Sequence, residues 1–326
     1  MECPNTKIPA FHPLFFISSP DLQTILGRYW PGPQIKESGD RHTVRLIDGD
    51  AIVLLENRCQ SAKGNILLLH GLGGDAHSPY MRRLAFILSQ SGWRVFRMNH
   101  RGAGDGCGMA RGLYHAGRSE DVCAAVGHIE QKYPDTITLA VGFSLSGNMV
   151  LKLAGENPGQ LPTSLRAILA VCPPIDLALC ARTIIQPRNR IYDRRFVRLL
   201  KANVRERARE LDAFSKYDLS EIKNLYQFDD QITAPASGFQ DAKAYYKACS
   251  AKHYWAGINL PTLVIASDDD PFIPKETFKN IPENTAVTLH MTKGGGHLGF
   301  LQNGKNMLGT YRWMDSVILD WANAWC

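Results

Sequence analysis

Short apolar runs alternate with amphipathic segments along most of the chain. Apolar runs of this length are typical of strands that are buried on both faces of a parallel sheet. The predicted strands are 65–69, 93–98, 136–141, 165–171, 261–266 and 285–291, and the clearest predicted helices are 79–89, 119–132 and 311–325. The pattern therefore predicts an α/β fold with a mostly parallel central sheet flanked by helices.

The alternation stops between residues 175 and 256, where no strong strand pattern is present. Apolar positions recur there at helical spacing instead. These positions are Phe196, Leu199, Leu200, Val204, Ala208 and Leu211. We predict a helical cap inserted over the C-terminal edge of the sheet. The predicted domain organisation is an N-terminal arm at 1–40, a core at 41–174 and 257–326, and the cap at 175–256.

The N-terminal arm is rich in proline and irregular, with a short predicted helix at 21–26. We expect its aromatic side chains to fasten the arm to the body of the protein, or alternatively to line an acyl pocket. These residues are Phe11, Phe15, Phe16, Tyr29 and Trp30. After the arm, segments 43–47 and 51–55 flank Asp48-Gly49, which predicts a β-hairpin.

Composition limits the class of protein and its partners. The 326 residues carry a formal net charge of +6 and are 44% hydrophobic, which suits a large globular domain with an insertion. Segment 182–209 is crowded with arginine. These arginines form either a solvated helix face or a surface that meets anionic lipid or substrate head groups. We therefore expect at most weak contact between the cap and an anionic membrane surface. They lack the motif context of a nucleic-acid module, and we expect no nucleic-acid partner.

The eight cysteines include no CxxC pair, and we expect reduced thiols in a cytoplasmic protein. They are Cys3, Cys59, Cys107, Cys123, Cys172, Cys180, Cys249 and Cys326. The N-terminus does not show a basic segment followed by an apolar core, and no run approaches the ~18 apolar residues of a membrane span.

Candidate chemistry begins with the stretch 139–150, where an apolar run ends at Gly142 and a helical pattern follows Ser144. A serine with small neighbours between a strand and a helix is typical of a nucleophile elbow, because the strained apex leaves little room. Ser146 is the competing apex, but it would need a small residue at position 148, where the chain has Asn148. We therefore assign Ser144 as the nucleophile.

A serine nucleophile needs a base and an orienting acid, which in a parallel sheet belong on loops at the carboxyl ends of strands. Acidic residues 268–270 follow one predicted strand, and His297 follows the last strand after three glycines. We choose Asp270 as the acid because Pro271 favours an extended conformation before it, and Asp269 is the alternative. The order serine, aspartate, histidine is that of α/β-hydrolases.

The segment 70–74, His-Gly-Leu-Gly-Gly, follows the first parallel strand. A serine nucleophile needs two backbone amides that stabilise a negative oxygen, and we assign these oxyanion-hole amides to Leu72 and Leu145. His70 is expected to hold the loop, although with Asp75 it also matches an H-x4-D acyltransferase pattern. The chain contains no phosphate loop ending in Lys-Ser/Thr and no H-E-x-x-H motif, so we predict neither a metal site nor a cofactor.

Together these motifs resemble the YheT-like branch of the α/β-hydrolases, family 4 of that superfamily, over nearly the whole chain. The resemblance is carried by 22–25, 70–74, 77–80, 99–102, 142–145, 147–148, 228–230, 233–235, 238–239, 269–272 and 296–297. It implies an α/β-hydrolase fold and a capped serine hydrolase acting on carboxylic esters, with eukaryotic relatives that act on lipids. Ser146 stands where the family usually has glycine, which concerns turnover rather than reaction class.

We therefore expect a carboxylic ester hydrolase of the esterase or lipase type, in which Ser144, Asp270 and His297 form a catalytic triad and an acyl-enzyme is hydrolysed. Its expected substrates are short- to medium-chain acyl esters or lipid-like esters, which would place it in lipid metabolism. The alternatives are an acyltransferase or thioesterase that uses the same triad, and a non-catalytic hydrolase fold that binds a lipid or a partner. The acyl chain length, the head group and the oligomeric state stay open.

Overall fold

The computed structural model describes residues 8–37, 39–210 and 214–326. Its strands are β1 (Asp40–Arg45), β2 (Ala51–Asn57), β3 (Asn65–Leu69), β4 (Arg94–Asn99), β5 (Thr138–Phe143), β6 (Leu165–Val171), β7 (Thr262–Ser267) and β8 (Val287–Thr292). Within the described ranges they form one eight-stranded sheet in the order β1-β2-β4-β3-β5-β6-β7-β8.

Most of the sheet is parallel. The neighbours from β4 through β3, β5, β6 and β7 to β8 all pair in parallel, whereas β2 runs antiparallel to both β1 and β4. β1 and β2 form the hairpin predicted around Asp48-Gly49. The predicted α/β fold with a mostly parallel sheet is confirmed, and the inner strand β5 ends directly before Ser144.

Helices cover both faces of the sheet. They are α1 (Pro20–Tyr29), α2 (Pro79–Gln90), α3 (Ser119–Lys132), α4 (Leu145–Glu156), α5 (Leu177–Ile184), α6 (Arg190–Glu210), α7 (Leu225–Phe228), α8 (Ala234–Ala236), α9 (Ala242–Cys249) and α10 (Trp313–Asn323). Because alternate residues of a strand face opposite sides, Leu67 and Leu69 of β3 pack in the cluster with α3 and α4. Ile66 and Leu68 pack in the cluster with α2 and α10. Burial on both faces explains the near-continuous apolar runs of the strands.

Helices α5 to α9 lie between β6 and β7, within the segment predicted as a cap. A π-helical turn at Asp229–Thr233 joins α7 to α8. Val204 is buried in an apolar cluster formed largely by this segment, and Leu200 and Ala208 pack against the same cluster. Leu211, the last position of the predicted helical face, lies outside the described residues. The domain boundaries at 40, 174 and 256 stay a prediction.

Two aromatic residues of the arm contact the body of the protein as expected. The ring of Phe11 lies 5.7 Å from that of Phe300 and 5.6 Å from that of Trp313, measured between centroids. The ring centroids of Trp30 and Tyr311 are 6.1 Å apart. These contacts anchor both ends of the described arm to the segment that follows the last strand.

The other three aromatic residues of the arm do not fasten it, so that expectation is wrong for them. Phe15, Phe16 and Tyr29 are 77%, 85% and 67% exposed. A polar residue provides the attachment instead, since Gln23 is fully buried and its side chain exchanges two hydrogen bonds with the backbone of Leu301, at 2.9 and 2.7 Å. A buried amide that satisfies both backbone groups fixes the position of α1 more specifically than apolar contact alone.

Six described cysteines are free thiols, namely Cys59, Cys123, Cys172, Cys180, Cys249 and Cys326, and Cys3 lies outside the described residues. Cys172, Cys180 and Cys249 are buried, and burial raises the pKa of each thiol. These three side chains therefore stay protonated and pack as small apolar groups. Within the residues described, no helix has the length and apolar character needed to cross a bilayer.

Candidate active site

Ser144 lies at the apex of a sharp turn between β5 and α4. Its φ and ψ are 52° and −117°, a conformation that non-glycine residues rarely adopt and that stores strain. Gly142 permits the turn, because a Cβ there would lie 2.3 Å from the carbonyl oxygen of Ser146. This is the geometry of a nucleophile elbow, with the serine hydroxyl above the carboxyl edge of the sheet.

The structure brings the three predicted triad side chains into one hydrogen-bonded line. Oγ of Ser144 donates to Nε2 of His297 at 2.9 Å, and Nδ1 of His297 donates to Oδ2 of Asp270 at 2.7 Å. His297 and Asp270 are both only 8% exposed. The arrangement can therefore deprotonate the serine through an imidazole whose orientation and charge are supported by a carboxylate.

Asp270 is held in place by the start of the loop that follows it. Its Oδ1 accepts hydrogen bonds from the backbone amides of Phe272 and Ile273, both at 3.0 Å. These two bonds orient the carboxylate so that Oδ2 faces His297. In addition to the extended conformation expected before Pro271, these two backbone amides therefore hold the carboxylate of Asp270 in place.

The two preceding aspartates support the loop that carries the histidine. Asp268 accepts a hydrogen bond from the amide of Gly294, and Asp269 accepts one from the amide of Gly296, each at 2.8 Å. Asp269, the alternative acid, therefore holds the glycine loop, while Asp270 contacts the imidazole of His297.

A brace from the N-terminal arm also holds the histidine, and sequence reasoning missed it. Oγ1 of Thr24 accepts a hydrogen bond from the amide of His297 at 2.8 Å. Helix α1 approaches so closely that a Cβ on Gly27 would lie 2.6 Å from Cα of Gly299. The motif 22–25 was the available signal, but nothing local connects it with a residue so far along the chain.

The loop 70–74 lies beside the nucleophile. A Cβ on Gly71 would lie 3.1 Å from Cβ of Ser144, and Leu72 and Leu145 both line a cavity at Ser144. Neither the amide of Leu72 nor that of Leu145 donates a hydrogen bond to another described residue. Both predicted oxyanion-hole donors therefore remain available to a ligand next to the serine.

Two tyrosines clamp this loop on either side of Leu72. The hydroxyl of Tyr80 accepts a hydrogen bond from the amide of Gly71 at 2.9 Å, and that of Tyr114 accepts one from the amide of Gly73 at 2.8 Å. Burial raises the pKa of both phenols, that of Tyr114 to about 12, so both stay protonated. The motif 77–80 includes Tyr80, but nothing local in the sequence assigns either tyrosine to the amides of the loop.

A buried network joins the loop to the elbow. Nδ1 of His70 donates to the carbonyl oxygen of Gly71 at 2.8 Å, and burial lowers the pKa of His70 to about 4. Oγ of Ser146 donates to the carbonyl oxygen of His70 at 2.5 Å and accepts from Nε2 of His100 at 2.7 Å. A neutral His70 supports the structural role expected for it, and Ser146 ties the elbow to the loop.

Cys172 is a further neighbour of the acid that sequence reasoning missed. Its sulfur lies within 4.8 Å of side-chain ligand atoms of Asp270 and His297. Burial, with a smaller contribution from the nearby Asp270 carboxylate, raises the pKa of the thiol well above its usual value. The protonated thiol can therefore act as a weak donor to the carboxylate.

Two cavities meet at Ser144. The inner cavity lies between the core and the cap helices and is largely apolar, with walls that include Leu113, Leu177, Ala181, Val204, Phe228 and Ile273. The outer cavity lies between α1, α6 and the loop 70–74, with walls that include Ile25, Tyr29, Tyr80, Ile191, Arg195 and Leu298. A ligand that reaches Ser144 can therefore extend in two directions.

The fold and this arrangement of residues define the class of protein. The family model of the alpha/beta hydrolase fold matches residues 64–304, and the chain belongs to this family. Among curated proteins, the chain is similar to YheT of Escherichia coli, with 33% identity over 95% of this chain and 92% of the relative. A monoacylglycerol lipase of Danio rerio is 28% identical over the whole chain and 82% of its own length.

A third relative and two solved structures extend the comparison. The medium-chain fatty acid ethyl ester synthase/esterase 2 of Saccharomyces cerevisiae is 31% identical over 75% of this chain and 60% of its own. The esterase Pf2001 of Pyrococcus furiosus matches with a TM-score of 0.54 and 16% identity over 90% of this chain and 98% of its own. A 2,6-dihydroxy-pseudo-oxynicotine hydrolase matches with a TM-score of 0.56 and 16% identity, over 92% of this chain and 71% of its own. At these identities the two structures establish the shared fold.

Proposed function

We propose that this protein is a serine hydrolase that cleaves carboxylic esters through an acyl-enzyme. One observation carries the proposal, namely the continuous hydrogen-bonded line from Ser144 through His297 to Asp270. It lies beside the amides of Leu72 and Leu145, which donate to no other described residue. Curated relatives named as a lipase and as an ester synthase/esterase support the same reaction class.

In the first half of the reaction, Oγ of Ser144 attacks the ester carbonyl while His297 accepts its proton. Asp270 stabilises the imidazolium that forms, through the bond of 2.7 Å to Nδ1. The amides of Leu72 and Leu145 donate to the oxygen that becomes negative in the tetrahedral intermediate. His297 then protonates the departing alcohol, which leaves an acyl group on Ser144.

In the second half, a water molecule takes the place of the alcohol. His297 removes a proton from this water as it attacks the acyl carbonyl, and the same two amides stabilise the second tetrahedral intermediate. Collapse of that intermediate releases the carboxylic acid and returns the proton to Ser144.

The two cavities support a substrate with an apolar acyl chain and a separate alcohol part. We place the acyl chain in the inner cavity, whose walls are mainly aliphatic and aromatic, because burial of methylene groups there is favourable. The alcohol part then occupies the outer cavity near Arg195. Short- to medium-chain or lipid-like esters fit this division, which supports a role in lipid metabolism.

The cellular setting belongs to the same proposal. The free thiols of the six described cysteines named above fit the reducing cytoplasm, where disulfides are rare. The cap arginines predicted to meet anionic surfaces are exposed along α6 at Arg194, Arg195 and Arg198, which supports a weak association with anionic membranes.

A fluorophosphonate probe tests the function, because it reacts with activated serine hydroxyls. The wild-type protein should be labelled and should hydrolyse p-nitrophenyl butyrate, and Ser144→Ala should lose both properties. Ser146→Ala is the matched control for the competing apex and should keep the label. Labelling that survives in Ser144→Ala would exclude the proposed nucleophile, and ligand binding without labelling or turnover would favour a non-catalytic hydrolase fold. If added ethanol is converted to an ester faster than the acyl-enzyme is hydrolysed, acyl transfer to an alcohol is the preferred second half of the reaction.

A further inference from the structure

The outer cavity opens at a rim of exposed apolar side chains. On α1, Leu22, Ile25 and Tyr29 follow one another at helical spacing and are 42%, 44% and 67% exposed. On α6, Ile191 is 77% exposed. Ile25, Tyr29 and Ile191 all line the outer cavity, so the apolar surface is continuous with the path to Ser144.

The two helices that form the rim are joined directly. The hydroxyl of Tyr192 on α6 donates a hydrogen bond to Oδ1 of Asp21 on α1 at 2.8 Å. Tyr192 is itself buried and packs against Phe272, with ring centroids 5.3 Å apart. The rim is therefore a fixed surface in which the spacing between the two apolar patches is set by the core.

Exposed cations accompany the apolar side chains. Arg194, Arg195 and Arg198 lie three, four and seven positions after Ile191 and so share its face of α6. All three are exposed, and none forms an ion pair with another described residue. The nearest acid along the helix, Asp193, is buried and accepts a hydrogen bond from the amide of Leu225. Among the described residues, this face of α6 therefore has an excess of positive charge that is not balanced by ion pairs.

We propose that this rim, formed by Leu22, Ile25, Tyr29, Ile191, Arg194, Arg195 and Arg198, docks on an anionic lipid surface. The proposal rests on the proposed ester hydrolase function and specifies where its substrate enters. Contiguous exposed apolar groups mark interaction sites, and apolar groups flanked by arginine fit a bilayer interface with anionic headgroups. A water-soluble protein partner would not explain why both features surround the opening that leads to the nucleophile.

Docking in this orientation brings the mouth of the outer cavity against the lipid. Ile25, Tyr29 and Ile191 then enter the interface, and the arginines contact headgroup phosphates. An ester in the leaflet that the rim contacts can reach Ser144 without passing through water, which removes the cost of exposing its acyl chain. The electrostatic part of the attraction is screened by salt.

Vesicle sedimentation tests the proposal with the full chain. Vesicles of phosphatidylcholine alone and of phosphatidylcholine with about 30% phosphatidylglycerol serve as probes, an anionic content that gives the negative surface potential on which juxtamembrane cations act. The protein should bind the anionic vesicles preferentially and should be released by salt. The double variant Arg194→Ser/Arg198→Ser should lower the partition coefficient roughly 25-fold, at about fivefold for each arginine, and Leu22→Ser should lower it further.

Matched controls are available on other faces of the molecule. Ile47 is fully exposed in the hairpin turn, and Arg166 is exposed on β6, so Ile47→Ser and Arg166→Ser repeat the chemical changes away from the rim. Both controls should bind vesicles like the wild type. Equal binding to neutral vesicles, no vesicle binding, or losses of the same size in the controls would overturn the proposal. So would self-association that depends on the rim, since the occupant would then be a second copy of the chain.

The same samples test the proposed lipid docking of the rim separately from the proposed catalytic function. Leu22, Arg194 and Arg198 do not line either cavity, so their variants should hydrolyse p-nitrophenyl acetate and react with the fluorophosphonate probe at wild-type rates. The same variants should lose activity towards monoacylglycerol embedded in anionic vesicles. Normal probe labelling without vesicle binding would refute the rim alone, whereas vesicle binding without labelling would refute the hydrolase.

Discussion

The backbone amide of His297 donates a hydrogen bond to the side chain of Thr24 at 2.8 Å, although 273 positions separate the two residues in sequence. Helix α1 of the N-terminal arm thereby supports the backbone of the candidate catalytic base. The imidazole is fixed from two directions, by Asp270 at Nδ1 and by Thr24 at the backbone. The N-terminal arm, through α1, is thus part of the framework of the candidate active site.

Replacement of Thr24 tests this support. Thr24→Val keeps the shape of the side chain but leaves the amide of His297 without its acceptor, and a small displacement of a catalytic group is costly in rate. We expect kcat for p-nitrophenyl butyrate to fall about tenfold or more with little change in KM. Thr24→Ser restores the hydroxyl and should recover most of the rate. Equal kcat values for the valine and serine variants would show that the contact does not matter for catalysis.

The assignment of Asp270 rather than Asp269 as the acid predicts that kcat differs strongly between two matched asparagine variants. Asp270→Asn places an amide against Nδ1 of His297 and favours the wrong imidazole tautomer, for which the serine protease precedent is a loss of roughly 10⁴-fold in kcat. Asp269→Asn removes charge from the loop support only, and we expect a much smaller loss in kcat together with lower thermal stability. Steady-state kinetics and thermal unfolding of both variants provide the measurement. A larger kcat loss in the Asp269 variant would reverse the assignment.

The tyrosine clamp predicts that the oxyanion loop can be loosened without touching the substrate. Tyr80→Phe and Tyr114→Phe each keep the ring but remove the acceptor for the amide of Gly71 or Gly73. Because complete loss of one oxyanion donor costs ~10²–10³ in kcat, a displaced donor should cost about tenfold. The effect should appear in kcat, with KM nearly unchanged. A change confined to KM would mean that the hydroxyls act on substrate binding instead.

The inner cavity predicts a change in chain-length preference. Ala181 of α5 lines this cavity, and Ala181→Phe fills part of it with a ring. We expect kcat/KM to fall steeply for p-nitrophenyl esters of medium chain length and to stay near the wild-type value for the acetate. Each methylene that can no longer be buried should cost about 0.8 kcal/mol of binding. A uniform fall across all chain lengths would place the acyl chain elsewhere.

The environment of Asp229 predicts that the free energy of unfolding depends on pH differently in the wild type and in a variant without this carboxyl. It lines the inner cavity, and burial raises the pKa of its carboxyl from 3.8 to about 6, against the opposing hydrogen bond from Tyr246. Since the folded protein holds this proton more tightly than the unfolded chain, the associated stabilisation is full below about pH 4 and is lost as the pH rises through about 6.

The variant Asp229→Asn is neutral at every pH and therefore lacks this loss. Between pH 4 and pH 7 its free energy of unfolding should rise relative to the wild type by roughly 2 kcal/mol, somewhat less than the full shift because cavity water screens the charge. Guanidinium unfolding of both proteins at the two pH values measures the difference. A difference that shrinks with rising pH would contradict the raised pKa.

Much of the fold could be predicted because its signals are local. Apolar runs and amphipathic segments identify β3 to β8 and the main helices to within about two residues, since both sides of each strand are buried. The elbow is equally local, because Gly142 and Ser144 must fit a single tight turn. The aromatic residues of the arm were harder to predict, as the exposed Phe15 and Phe16 show, because burial depends on what the rest of the chain places beside them.

The sequence alone determined the class of fold, the nucleophile elbow and the order of serine, acid and histidine, because each strand, turn and loop that carries them is recognised from residues that are neighbours in the chain. Only the tertiary structure decided that Asp270 rather than Asp269 contacts the imidazole, that Thr24 supports His297, and that Tyr80 and Tyr114 hold the loop at Leu72. These relationships join residues far apart in sequence, and their distances depend on how helices and loops pack around the sheet.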